Sequence, residues 1–358
     1  MKGPSKVCAL VLGLLLVFSL TSAVAGGQKQ AEQSGGGETA PQKVYELKIG
    51  HANAPADNSA LHVTAMALKD AMEERSNGQI VSEIYPSGQL GTDAEMADLT
   101  VSGAQDVFVT SLNLITNYAP RLRALILPYM FEDSTNFRQA REALWGEIND
   151  YLAERANLHL VALWDSGYRH VMSTKPVRTL ADLKKLKFRV PPSPVMIEMV
   201  KSWGVSPTPV EWSEVFNALQ LGVIDAIEVD DSVLISARMN EVVKYITDDD
   251  HILQVSVAVM NEELYQSLPA ELQRAVDQAV EDARVVIDNK SSAILAEARE
   301  VSRTDHGVQF LGRPTDYPAW AQKARSIWPG FYEDIGEGNA AVGKEVVDRV
   351  FEAAGMTQ

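Results

Sequence analysis

The sequence predicts an α/β protein of two lobes, each a mainly parallel sheet flanked by helices, with one long helix spanning both. Three observations predict it. A strand–helix rhythm runs from Val44 to Ser111 and starts again at Leu158. Two segments, Glu95 to Val107 and Glu214 to Ala226, match in spacing: each carries a helix ending at a glycine (Gly103, Gly222), and an aspartate three residues on (Asp106, Asp225) opens a strand. Glycine tolerates the left-handed conformation that ends many helices, so the match describes two similar helix–turn–strand units; chance is the competing reading, since this pattern is common. Finally, Ala270 to about Arg303 contains no Gly or Pro and is rich in Ala, Glu, Val and Arg. A helix there is on the order of 45–50 Å long, enough to pass more than one lobe.

The elements follow in order. Lys2 and Lys6 precede an apolar run from Ala9 to Leu20, and Ala23-Val24-Ala25 is an A-x-A site. Residues 1–25 are therefore expected to be a signal peptide cleaved before Gly26, the run being short for a membrane span. Residues 26–42 are rich in Gly, Gln and Ser with no apolar period, which predicts a flexible tether. A strand is expected over Val44–Ala52, a helix over Ser59–Asn77 ending at Gly78, and a strand over Ile80–Tyr85. The helix Thr92–Ser102 and the strand Asp106–Ser111 close this β-α-β-α-β run, the order of a parallel sheet. The second run has strands Leu158–Asp165, Leu186–Val190 and Val223–Val229, with helices Val195–Trp203 and Trp212–Leu221. A further strand, Gln254–Met260, precedes the long helix, and shorter helices between Trp320 and Ala354 finish the chain. Lobe 1 is expected over residues 44–165, with about 255–294 returning to it. Lobe 2 is expected over 166–254, with about 295–354 returning.

Composition excludes several functions. The formal charge of the 358-residue chain is −16, and loss of Lys2 and Lys6 makes it −18. That disfavours nucleic acid or an anionic membrane surface as partners. The single cysteine, Cys8, lies in the leader, so the mature chain has no thiol chemistry, disulfide or thiolate metal site. No two of the six histidines stand four apart on a helix, and none sits in a nucleophile elbow. No metal and no cofactor are expected, and no membrane span in the mature form.

Against that negative field, an anionic ligand needs local arginines. Arg189 lies near the end of the strand Leu186–Val190, which stops at Pro191-Pro192 because proline donates nothing to a sheet ladder. Strand ends are where crevices form in α/β sheets, and a planar guanidinium there suits bidentate capture of a carboxylate. A structural Asp or Glu partner is the competing reading.

These residues resemble the DctP-type solute-binding proteins of TRAP (tripartite ATP-independent periplasmic) transporters. The resemblance rests on Tyr85-Pro86-Ser87-Gly88-Gln89-Leu90-Gly91, on Ile126-Leu127-Pro128-Tyr129, and on the longer stretches LKKLKFRVP (183–191), GVSPTPVEWSEVFNALQLGVID (204–225) and EVVKYIT (241–247). It covers nearly all of the mature chain and implies a two-lobed periplasmic-binding-protein-like fold. It also implies a periplasmic receptor that delivers a small organic acid, such as a sugar acid, hydroxy or keto acid or dicarboxylate, to an integral membrane permease. By the resemblance Arg189 forms the salt bridge to the ligand carboxylate and Arg169 is a second arginine. Trp212 packs over the ligand, and Glu228 is the acid of the following strand. Ser111 lies in a turn that faces the cleft, and Asp230, Asn53 and Ser111 complete the expected ligand-binding set. The chain departs from the family at Ile227-Glu228-Val229-Asp230-Asp231: Val229 replaces an asparagine that hydrogen-bonds ligands, and the aspartates add negative charge.

Local alternatives exist for each residue. Arg169 can pair with Asp165 or Glu228, Trp212 can be core, and Asp230 or Asp231 can cap the next segment. Two other functions compete: a secreted lyase or hydrolase with Glu228, Asp230 and Asp231 as acid–base groups, and a ligand receptor serving a signalling kinase.

Overall fold

Nine strands build one continuous sheet in a computed structural model that describes residues 43–356; the expected leader and tether, residues 1–42, lie outside the described residues. The strands are β1 (Tyr45–Gly50), β2 (Ile80–Tyr85), β3 (Val107–Ser111), β4 (Leu158–Ser173), β5 (Phe188–Val190), β6 (Pro207–Pro209), β7 (Ala226–Asp230), β8 (Tyr245–Asn261) and β9 (Gln309–Phe310). Their order is β2-β1-β3-β8-β4-β7-β5-β6, with β9 on β8. The outer trios are parallel and repeat each other: β1 pairs with β2 and β3, and β5 pairs with β6 and β7. Between them the long strands β4 and β8 run antiparallel through both halves, and each also pairs antiparallel with the trio beside it. The fold is thus α/β and two-lobed, mostly parallel, with an antiparallel centre.

The matched helix–turn–strand units hold in detail. Gly103 and Gly222 have φ of +79° and +70°. The backbone N–H of Ala104 bonds Leu99 O and that of Val223 bonds Ala218 O, both at 2.8 Å. The Asp106 carboxylate accepts from the Lys48 N–H within β1, and Asp225 accepts from the Lys187 N–H just before β5. Each aspartate therefore ties its incoming strand to the parallel neighbour.

Strand alternation sends side chains to both faces. Val107 and Val109 join a core under the helices Ala60–Arg75 and Ala270–Thr304, while Phe108 joins another under Ser134–Ala156 and Ala340–Ala353. In the other half Phe188, Val190 and Trp203 pack with Trp320, and Ile227 and Val229 pack with Leu219 and Ala298. The helix Ala270–Thr304 gives Leu272 to Ile287 to the first half and Ala298 to the second, so it does span both.

The helix Ser134–Ala156 and the short strands β6 and β9 come in addition to the expected elements, and two expected strands run on further. The strands expected at Leu158–Asp165 and Gln254–Met260 are each about twice as long. Ser166-Gly167 resembles a turn in sequence, but the chain absorbs it as a bulge: the β4–β8 register shifts between Asp165 and Tyr168, and Gly167 sits at φ +78°. The sheet crosses from one half to the other there. No helix among the described residues is long and apolar enough to cross a membrane.

Candidate functional site

A cleft with about 710 Å³ of empty space, the open solvent at its mouth included, lies where the ends of β3, β5 and β7 meet the central strands. One wall comes from the first half: Asn53 after β1, Asp93 at the start of the helix Asp93–Val101, and Thr110, Ser111 and Asn113 at the end of β3. The other comes from the second half: Arg189 and Pro191-Pro192 after β5, Glu211 and Trp212 at the start of the helix Trp212–Gln220, and Val229 and Asp230 ending β7. Arg169 of β4 and Gln254 and Ser256 of β8 lie between them. Crevices at the carboxyl ends of parallel strands are the usual ligand sites of open α/β sheets.

The two arginines are held differently. Arg189 is 2% exposed, yet no carboxylate among the described residues forms an ion pair with it. Its Nε and Nη2 donate to Val210 O at 2.9 and 2.7 Å, and its guanidinium lies 5.8 Å from the Trp212 ring centre. Five N–H donors belong to a guanidinium, and Nη1 makes no hydrogen bond to any of the described residues. Burial pulls the group down to about 10, with Glu228 acting against that pull. It remains charged at neutral pH.

Arg169, by contrast, is largely committed. Its Nε donates to Glu228 Oε2 at 2.5 Å, Nη2 to Glu228 Oε1 at 3.0 Å and to Glu228 O, and Nη1 to Gln254 Oε1. Gln254 passes the chain on, its Nε2 donating to Ser111 Oγ at 2.8 Å, and Ser111 donates to Asn113 Oδ1.

Glu228 does not reach the cavity. It is 0% exposed, behind Arg169, with His251 Nε2 3.3 Å from Oε2 and Asp249 on the far side of His251 at 2.8 Å. The expected ligand contact is corrected to a buried counter-ion, because the Glu228 side chain turns towards the Arg169 guanidinium across the β4–β7 pairing. Burial alone would push its carboxyl up, but Arg169 and His251 hold it down at about 2. Burial would likewise lower His251, and Asp249 and Glu228 raise it to about 9.

The other acids are also separated. Asp230 Oδ1 accepts from the Ser232 backbone N–H at 3.0 Å and from the Ser232 hydroxyl, and Asp231 pairs with Arg299 at 2.6 Å. The three carboxylates offered above for acid–base chemistry thus have three different partners. Burial pushes the carboxyls of both aspartates up.

Of the expected residues, Arg189, Arg169, Trp212, Asp230, Asn53 and Ser111 line the cavity together. Sequence reasoning missed Asp93, Glu211 and Gln254. Thr92 and Glu95 form a capping box, so Asp93 reads as an ordinary first-turn acid. The structure turns it inward, where Thr110 Oγ1 donates to it at 3.3 Å; burial, with Glu211 adding to it, pushes its carboxyl up to about 6. No group of three or more His, Cys, Asp or Glu side chains among the described residues could hold a metal ion.

Comparison with known proteins adds the following. Residues 49–334 match the DctP family, bacterial extracellular solute-binding protein, family 7. The solute-binding protein RD1_1052 of Roseobacter denitrificans is 31% identical over 66% of this chain and 73% of its own. The 2,3-diketo-L-gulonate-binding periplasmic protein YiaO of Escherichia coli is 29% identical over 68% of this chain and 74% of its own. Among solved structures, the Roseobacter denitrificans TRAP periplasmic solute-binding protein with bound L-galactonate matches with a TM-score of 0.76 and 26% identity, over 87% of this chain and 99% of that one.

Proposed function

The chain belongs to family 7 of the bacterial extracellular solute-binding proteins, and from that premise we propose that Arg189 is the carboxylate clamp of a periplasmic receptor for a small organic acid. The observation that carries the reading is the buried Arg189 guanidinium, fixed by Val210 O and left without a carboxylate partner on a cavity wall. A buried charge is costly unless paired, so the ligand carboxylate supplies what the fold omits. The ligands of the relatives, 2,3-diketo-L-gulonate and L-galactonate, are acids of this kind.

Arg169 plays the lesser part. Its bonds to Glu228 and Gln254 orient it, and little of its donor set remains for the ligand. Asn53 and Ser111 offer hydrogen bonds from the first lobe, and Trp212 covers the ligand from the second. Residues 44–165 and 166–254 are the two lobes, the later segments returning to each. A ligand touching both walls favours the closed form, because only closure completes its contacts. The closed receptor then presents the acid to the membrane subunits of a TRAP transporter.

The test is a thermal-shift screen of the mature protein against sugar acids, hydroxy and keto acids, dicarboxylates, amino acids and neutral sugars. Ligand at about 100 times its dissociation constant adds roughly 2.7 kcal/mol of stability. Shifts confined to carboxylates support the clamp; shifts only with neutral sugars contradict it.

A further inference from the structure

The cavity is unbalanced in charge. Behind it, Arg169 with Glu228 and His251 with Asp249 are two buried pairs that compensate each other. What remains on the walls is one guanidinium, Arg189, and three carboxylates: Asp93, Glu211 and Asp230. None of these three forms an ion pair with a cation among the described residues. Asp230 is 5% exposed, and both of its protein hydrogen bonds go to Oδ1, leaving Oδ2 without a donor. Asp93 has a single donor, Thr110. Asp93 and Glu211 come from opposite walls and also share the adjoining recess at the mouth with Thr92, Trp212 and Ser213.

A ligand with one carboxylate and no cation would put a fourth negative group into this space, and a dicarboxylate a fifth. Like charges are poorly screened where water is excluded, so closing the lobes on such a ligand works against that repulsion. A hydroxyl can donate to a carboxylate but leaves the charge uncompensated. An ammonium brings both the missing charge and three N–H donors. We propose that the ligand is a zwitterion, an amino-acid-like molecule whose carboxylate sits on Arg189 and whose protonated amine sits at the mouth beside Asp93 and Glu211. This rests on the clamp reading above. Burial, with Glu211 adding to it and Arg189 acting against it, raises the Asp93 carboxyl, and an ammonium beside it would favour its ionised form.

The experiment is titration calorimetry of the mature protein with matched straight-chain acids of about three to six carbons carrying a terminal amine, hydroxyl or second carboxylate. The common α-amino acids and L-galactonate are added. The expected result is that an amine-bearing acid binds at least about tenfold tighter than its hydroxy and dicarboxylate counterparts, as a charged hydrogen-bonded contact provides. Asp93→Asn should erase most of that preference while circular dichroism stays unchanged. The zwitterion is overturned if a hydroxy acid, L-galactonate or a dicarboxylate binds as tightly as every amine-bearing acid, or if no amine-bearing acid binds. Arg189→Ala separates the two readings. If the tightest ligand is an amine-free acid and Arg189→Ala abolishes its binding, the zwitterion falls and the clamp stands; binding of an amine-bearing acid that is indifferent to Arg189 sinks the clamp.

Discussion

Arg189 donates from Nε and Nη2 to the carbonyl oxygen of Val210, at 2.9 and 2.7 Å, so a backbone acceptor and no acid of the fold fixes this buried guanidinium. The contact sets the plane of the group and leaves Nη1 for the cavity. Arg189→Lys keeps the charge but loses the planar fork, since one ammonium cannot reproduce this forked contact and a two-point grip on a carboxylate. We expect it to weaken binding of the best organic acid by about tenfold, with the melting temperature of the free protein nearly unchanged, checked by calorimetry and thermal unfolding.

Glu228 is the counter-ion of Arg169 and the neighbour of His251, with no exposure. Removing one partner of a buried ionic pair leaves an uncompensated charge, which typically costs about 3–5 kcal/mol. Glu228→Ala should therefore lower unfolding free energy by about that amount in urea titrations. A change below about 1 kcal/mol would mean that water compensates Arg169.

The pH dependence has a definite sign on each side. Glu228 is held below its ordinary value of 4.5, at about 2, so its contribution is present above pH 4.5 and is lost as pH falls towards 2. His251 is held above 6.5, at about 9, so its contribution is complete below pH 6.5 and fades as pH rises through 9. Asp93, raised from 3.8 to about 6, opposes folding progressively between those values and adds no slope above 7. Urea unfolding between pH 7 and 9.5 should show a decline on the order of 3 kcal/mol from His251. His251→Gln should flatten that alkaline limb.

Gly167 occupies φ +78° in the β4 bulge, and a Cβ there would come within 2.7 Å of Leu295 Cδ1 on the long helix. Gly167→Ala should destabilise the protein by about 1–2 kcal/mol for the left-handed backbone alone. The Leu295 contact adds to that unless the side chain moves aside. Chemical denaturation of Gly167→Ala, alone and combined with Leu295→Ala, measures the two parts.

The repeat was legible because its signals are local. A glycine at a helix end and an aspartate three residues on mark Gly103 with Asp106 and Gly222 with Asp225 by short-range backbone chemistry. The Ala270–Thr304 helix was legible for the same reason, having no breaker along its length. The long central strands were not. Their continuity depends on pairing between β4 and β8, distant in sequence, and that pairing turns Ser166-Gly167 into a bulge.

The same division runs through the site. Arg189 announced itself by its place before Pro191-Pro192, Arg169, Trp212 and Ser111 by the family resemblance, and Asp230 by the departure from it; these and Asn53 line the cavity. Glu228 sits next to two cavity residues in β7 but turns to Arg169, a choice fixed by the β4–β7 register and invisible in one strand. Asp93 and Glu211 look like helix-start residues, which they are. Only the packing of the two walls brings them to one mouth.

The most direct test of the clamp is calorimetry of the best carboxylate ligand from the screen against the mature protein and Arg189→Ala. The account predicts that the variant keeps its circular dichroism spectrum and loses at least about tenfold in affinity, the worth of a charged two-point contact. Unchanged affinity in a folded Arg189→Ala protein would contradict it.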